Sequence, residues 1–387
     1  MVKARYNSLN GLRTIGALSI VSVHVLKFLY PHTPFNGIWG FLSIGEWAVE
    51  LFFMISAFAM CCGYYDKIKN NNISLNDFYK KRYKRTLPFW GLMLFIGVIA
   101  SPTINNLLQL CIELPLTFNL CFYPNLSLLQ VGWFLGMIFT FYMIFPFFVF
   151  MIWTKKRAWM SLIITMILST ISTYWYKNVE GWDTFSTVGQ SIIVFSPRFV
   201  AGALIYLYKD TIALHIKNAP PINQCLFRIL LLTMIGIAYY IMTFNSLILN
   251  AFIVLLLLYS VSFEKYPILD NKITKVISDV SMEIYLSHMF IFRCLEMFHL
   301  TTIIESVAVN YLVILFLVFW GAFIFSYVVK FYVLPFILNS SAKIKSLIGW
   351  SWKITIRLPA SNFWMTIAEV LKCWSQYCKY SLAIVNG

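Results

Sequence analysis

Charge is what this sequence has least of. Of its 387 residues only 12% are charged, and Asp plus Glu number 15 against 30 Lys plus Arg. A soluble domain carries roughly a quarter charged residues. Half that supply does not cover a globule of this length, so a water-soluble single domain is excluded. Intrinsic disorder requires low hydrophobicity, and this chain is 60% hydrophobic and 18% aromatic with a mean hydropathy of +0.75, so disorder is excluded as well. The eight cysteines form no CxxC and no cluster with histidine, which leaves neither a zinc site nor a disulfide framework, and no metal is expected. Cys111 and Cys121 share one loop, where pairing stays open. A cleavable signal is not expected either: Arg13 interrupts the first apolar run and no small-residue cleavage site follows. The sequence shows no soluble catalytic domain, low-complexity linker or internal repeat.

What is present in abundance is apolar runs long enough to span a bilayer, which takes about 20 residues. Candidate spans fall at 10–30, 43–63, 87–102, 131–153, 158–176, 188–208, 227–244, 247–263, 276–298 and 306–335. Threading them alternately gathers Lys3, Arg5, Lys67, Lys69, the run Lys80–Arg85, Lys155–Arg157, Lys209, Lys217, Lys265, Lys272 and Lys275 on one side. The opposite loops hold Lys177 alone. Excess Lys and Arg marks cytoplasmic loops, and that asymmetry accounts for most of the net charge of +15, so a nucleic-acid partner is not expected. The reading is an all-α polytopic membrane protein with about ten transmembrane helices, both termini cytoplasmic, in the cell (inner or plasma) membrane. Residues 1–338 form its membrane domain. Residues 339–387 form a basic and aromatic tail expected to lie on inner-leaflet lipid. The long apolar loop 103–130 is expected to fold back along the membrane or dip into it.

Ionisable groups inside such spans cost at least about 2.5–3.5 kcal/mol each and mark function by default. Arg13 and His24 lie eleven residues apart on the first span, which is three helical turns plus about 20°, so they share one face. A cation near the cytoplasmic mouth and an imidazole past the midplane describe the wall of a polar passage. Glu50, at the depth of His24 on the next span, is expected to face it and hold its tautomer, or else to pair with Lys27. Arg82 and Arg85 in FYKKRYKRTLPFW read two ways. They form either a phosphate clamp or a juxtamembrane run that sets topology and meets anionic lipid. Pro88 suits a helix start there. Arg198 is placed mid-span facing the interior. His288 is either a satisfied structural group or part of a site. Arg293 and Glu296, spaced i,i+3, are expected to pair; Glu283 is unassigned.

These stretches together resemble the acyltransferase-3 family of integral-membrane O-acyltransferases. The resemblance rests on NGLRTIGALSIVSVHV, VELFFMISAFAM, FYKKRYKRTLPFW, GWFLGMIFTFYMIFP, SPRFVAGALIY and SDVSMEIYLSHMFIF, in the family's order. Its most specific element is an Arg and a His separated by ten residues on the first helix, here Arg13 and His24. Glu50 with Phe52, Phe53 and Ser56 matches the second motif, and Arg82 and Arg85 match an Arg-x-x-Arg. Trp133, Phe134, Leu135, Tyr142 and Pro146 place the chain near one branch. Ala57 and Ile138 depart from a Gly and a Glu that many members carry, so no role for that acid transfers. The resemblance implies a ten-helix enzyme moving an acyl group, usually acetyl, from cytoplasmic acyl-CoA to a hydroxyl of a surface or secreted glycan or lipid-linked saccharide. It implies that Arg13 and His24 line the acyl path and that Arg82 and Arg85 contact the CoA phosphates.

The expected chemistry assigns His24 as base, Glu50 as its orienter, Arg13 as guide for the thioester arm and Arg82/Arg85 as clamp. Ser56 is the nucleophile if a covalent intermediate forms; Trp133, Tyr142, Arg198 and His288 are further candidates. The rival reading is a transporter or flippase, which also buries charge. Transporters commonly carry repeated halves, and no matching pair of segments is found.

Overall fold

In hydrocarbon a segment must satisfy every backbone N–H and C=O within itself, which for a single run means a helix. The computed structural model describes residues 6, 8–31, 45, 47–120, 128–178, 191–241, 246–262 and 269–337, and among them helices are present and no strand. The principal helices are α1 (Ser8–Leu29), α2 (Trp47–Met60), α3 (Leu75–Ala100), α4 (Ile104–Glu113), α5 (Trp133–Met151) and α6 (Lys155–Asn178). They are followed by α7 (Ile192–Asn218), α8 (Pro221–Ile241), α9 (Ser246–Ser262), α10 (Lys272–Asp279), α11 (Ser281–Met297) and α12 (Val307–Val328). Two runs continue through a π-helical turn: α2 through Cys61–Tyr65 into Asp66–Lys69, and α12 through Val329–Val333.

Six of these helical runs are long and apolar enough to cross a membrane: Ser8–Leu29, Trp47–Lys69, Trp133–Met151, Ile192–Asn218, Pro221–Tyr239 and Val307–Ile337. Helices α3, α6, α9 and α11 stand at the other four expected spans. The chain divides into Met1–Pro335 and Phe336–Gly387. The expected inner-leaflet tail at 339–387 lies outside the described residues.

Helix starts follow local chemistry, and one overturns an expectation. Ser74 caps α3 by accepting from Asp77 N at 3.0 Å, which opens the helix more than three turns before Pro88. Pro88 is therefore inside the helix, not at its start, and Arg82 and Arg85 sit on it at i,i+3. The expected span 276–298 is likewise two helices, broken at Val280, whose ψ of 14° leaves the helical region. Within the expected loop 103–130, α4 is capped by Thr103 and packs on α3. There Glu113 is fully buried, and its carbonyl accepts from Trp90 Nε1 at 2.9 Å.

Helix α1 packs on α2, α9, α10, α11 and α12, so its polar groups are met from several sides. One apolar core joins α2, α5 and α7 through Phe53, Phe58, Phe141 and Phe199, the last two rings stacked at 4.0 Å. A second joins α1, α11 and α12 through Val21, Val25, Ile284, Phe292 and Ile314. Large apolar side chains on α6 and α8, among them Ile163, Ile171, Ile222 and Leu226, point outward, as lipid-facing surfaces do.

Where α2 crosses α7, Gly202 sits so close that a β-carbon on it would lie 2.3 Å from the Met54 carbonyl oxygen. Gly202→Val is expected to cost at least about 1–3 kcal/mol by overpacking. Gly236→Ala, whose β-carbon meets nothing within 4 Å on α8, is expected to be neutral or mildly stabilising. Thermal melts of the two variants in detergent check this: the first melts clearly lower than the parent and the second does not.

Candidate active site

The stripe of α1 that carries Arg13 and His24 faces other helices, and both residues are half-buried. At the His24 end, α1 meets α11. His24 Nδ1 and His288 Nε2 are 2.9 Å apart, with the rings stacked at 5.0 Å between centroids. His288 is fully buried, and its Nδ1 lies 2.7 Å from the Tyr285 carbonyl oxygen. A carbonyl only accepts, so His288 donates from Nδ1 and its Nε2 carries a lone pair. His24 must then donate from Nδ1, which leaves its own Nε2 as the unprotonated nitrogen. Around the pair, Ser22 Oγ and Tyr311 Oη are 2.5 Å apart, and Ser287 Oγ and Ser326 Oγ are 3.0 Å apart. These contacts pin α1 and α11 to α12.

Glu50 does not take the place expected for it. Its carboxylate accepts from Arg198 Nε at 2.8 Å, while Arg198 Nη1 donates to the Val194 carbonyl at 2.7 Å. The reason is local to α7. Pro197 has no N–H for the Ile193 carbonyl, and Ser196 Oγ supplies that bond instead at 2.7 Å. Arg198 follows directly and reaches α2. With side chains only 11% and 17% exposed, each charge needs the other. His24 Nδ1 thus meets His288, and the partner of Glu50 is Arg198 and not Lys27.

At the Arg13 end the other expected residues converge. Arg13 lies within electrostatic reach of Arg85, Tyr142, Asp279 and Cys62. Arg82 lies over the ring of Tyr64 at 4.7 Å and that of Tyr142 at 5.6 Å, and donates to Tyr64 Oη at 2.6 Å and Met60 Sδ at 3.4 Å. Its Nε is buried and finds no hydrogen-bond acceptor among the described residues. Arg85 is exposed one turn on. Arg13, Arg82 and Arg85 thus concentrate positive charge at this end of α1, which favours an anion there.

Trp133 meets Phe53 and Phe195 at tilted angles, with centroids at 6.4 and 6.0 Å, and Arg198 lies over the Phe195 ring at 5.3 Å. Ser56 is half-buried on α2. Arg293 and Glu296 pair at 2.6 Å as their spacing suggests. Neither the meeting of Tyr64 with Arg82, which the π-helical turn brings about, nor the pairing of Glu283 with Lys330 at 2.6 Å has a signal in the sequence. The His24–His288 contact did leave a trace: two of only five histidines fall within apolar spans. No group of three or more His, Cys, Asp and Glu that could hold a metal occurs among the described residues. Cys111 is a free thiol; Cys121 lies outside the described residues.

Several long apolar helices with ionisable groups paired inside the bundle define a multi-pass membrane protein. The chain belongs to the acyltransferase-3 family, whose acyltransferase domain matches residues 6–331. It is also similar to a Haemophilus influenzae protein described as "Uncharacterized protein", 28% identical over 187 residues that cover 42% of this chain and 75% of that one. No solved structure matches.

The Glu50–Arg198 pair makes its own prediction. Glu50→Ala and Arg198→Ala each strand a charge and are expected to destabilise by about 3–5 kcal/mol, whereas the double variant loses much less than their sum. Melting temperatures of the four proteins in detergent read the coupling; additive losses would show that the pair carries no net interaction.

Proposed function

We infer that this protein is a membrane-embedded O-acyltransferase that moves an acyl group, acetyl in the simplest case, from cytoplasmic acyl-CoA to a hydroxyl of a surface or secreted glycan or lipid-linked saccharide. Family membership supplies acyl transfer. The observation that carries the rest is the chain from His24 through His288 to the Tyr285 carbonyl, because it sets His24 with Nε2 unprotonated on the same helix face as Arg13.

A thioester is already activated, so the enzyme has to deprotonate the acceptor and hold both partners in line. In this reading His24 Nε2 takes the hydroxyl proton as that oxygen attacks the thioester carbonyl. The carbon–sulfur bond breaks, and the departing CoA sulfur takes the proton back from His24. While His24 is doubly protonated, His288 Nε2 still accepts its Nδ1–H. The neighbouring imidazole thus supports the cation in the position the sequence suggested for Glu50. His288 is a positioning residue and Glu50 with Arg198 a brace between α2 and α7. At the other end, the positive charge of Arg85 and Arg82 suits the phosphates of CoA, with Arg13 next along the route to His24. That end carries the basic run, which supports a cytoplasmic face there, with both termini inside and the protein in the inner or plasma membrane.

His24→Ala is expected to lower acyl transfer about 10²- to 10⁴-fold, and His288→Phe to lower kcat while leaving the KM for acetyl-CoA within about two-fold. Arg85→Glu should instead raise that KM. Release of label from acetyl-CoA by purified protein, and O-acetyl content of the cell-surface glycan, measure all three. Full activity in His24→Ala refutes the base, and an unchanged KM in Arg85→Glu returns that residue to setting topology.

A further inference from the structure

Helix α6 packs along α7 and touches α5. Its inner side is made of small residues: Ala158, Ser161 and Thr165 are buried, and Ser169 Oγ donates to the Val194 carbonyl of α7 at 2.9 Å. The opposite side carries Met160, Ile163, Ile164, Ile167 and Ile171, each more than half exposed. At 100° per residue these five fall within one third of the helix circumference, so they form a single apolar column.

At the head of that column the first turn of α6 holds Lys155, Lys156 and Arg157, all exposed. By the same angular count Lys156 and Arg157 stand over the column, while Lys155 turns toward α7. Acidic side chains are what favour a first turn, and α6 has none there. Lys156 and Arg157 have no acidic partner among the described residues. Lys155 is held in place: its Nζ lies 4.3 Å from the centre of the Tyr208 ring and donates to Thr211 Oγ1 at 3.4 Å. Tyr208 Oη accepts from Trp159 Nε1 at 3.2 Å, which fixes a half-exposed indole between the cations and the column. Beside them Lys209 lies over the Tyr206 ring at 4.4 Å and bonds Asp210 at 2.7 Å. Lys69 donates to the Trp153 carbonyl at 3.3 Å. Positive charge therefore outweighs negative on this ledge.

We propose that the outer side of α6, with the adjoining part of α7, binds an anionic phospholipid. Cations, then an indole, then an aliphatic column follow one another as phosphate, ester and acyl chain do in a lipid. Lys156 and Arg157 meet the headgroup, Trp159 lies at the ester level, and the acyl chains run from Met160 to Ile171. A second copy of the chain in the same bilayer would bring like cations to the same depth, so charge favours the lipid as occupant. The inference is independent of the acyl-transfer reading.

The test places full-length protein in nanodiscs of phosphatidylcholine, alone or mixed with phosphatidylglycerol, and counts retained lipid by native mass spectrometry. The parent is expected to retain phosphatidylglycerol preferentially and to melt higher in the mixture than in phosphatidylcholine alone. Lys156→Gln with Arg157→Gln leaves the Lys155 contacts in place. It should lower the preference at least about five-fold, the worth of one cation near a charged surface. Its melting temperature in phosphatidylcholine should match the parent, which is the folding control. Lys80→Gln with Lys81→Gln removes the same charge from exposed positions on α3 and should keep the preference. Equal loss in the two double variants would trace the effect to overall charge and overturn the site. An unchanged preference in the α6 variant overturns it too. So does weaker acetyl-CoA binding in that variant with lipid retention intact, which would make these residues part of a donor clamp.

Discussion

A charge or an imidazole inside an apolar helix bundle persists only where another part of the bundle meets it. In this chain those meetings are also what ties the helices together. His24 on α1 reaches His288 on α11, Glu50 on α2 reaches Arg198 on α7, and Glu283 on α11 reaches Lys330 in the turn that follows α12. Apolar packing against apolar lipid distinguishes neighbours weakly, whereas a stranded charge in hydrocarbon is expensive. The polar pairs therefore specify which helices adjoin, and the phenylalanine cores fill in around them.

The same constraint separates two ends of one site. Along α1, Arg13 and His24 stand about 16 Å apart. One lies among Arg85, Tyr142 and Asp279, the other against His288. The first end is rich in cations, and the second joins two imidazoles. Two π-helical turns serve this arrangement. Cys61–Tyr65 presents Tyr64 to Arg82, and Val329–Val333 presents Lys330 to Glu283. Such turns place an extra residue in a helix and often accompany functional positions.

Local signals were legible in the chain wherever a single helix suffices to produce them. Apolar length marked the spans, an eleven-residue interval put Arg13 and His24 on one face, and the i,i+3 spacing joined Arg293 to Glu296. Depth alone misassigned Glu50, because equal depth on adjacent spans says nothing of the direction in which each side chain points. The start of α3 was misjudged for a related reason: Pro88 is a conspicuous residue, yet the cap at Ser74 and Asp77 opens the helix earlier and carries it through.

What composition and periodicity settled is thus one-dimensional: a helical membrane chain, its polar stripe on α1 and its basic run at 80–85. Those properties repeat along a helix and need no neighbour. Which residue touches which across helices was decided only on folding. His24 and His288 are 264 residues apart in the chain, and the rotation of each helix about its axis follows from how all its neighbours pack at once. No interval within one segment encodes that rotation, so the contact of His24 with His288 and the partner of Glu50 emerge from the tertiary structure.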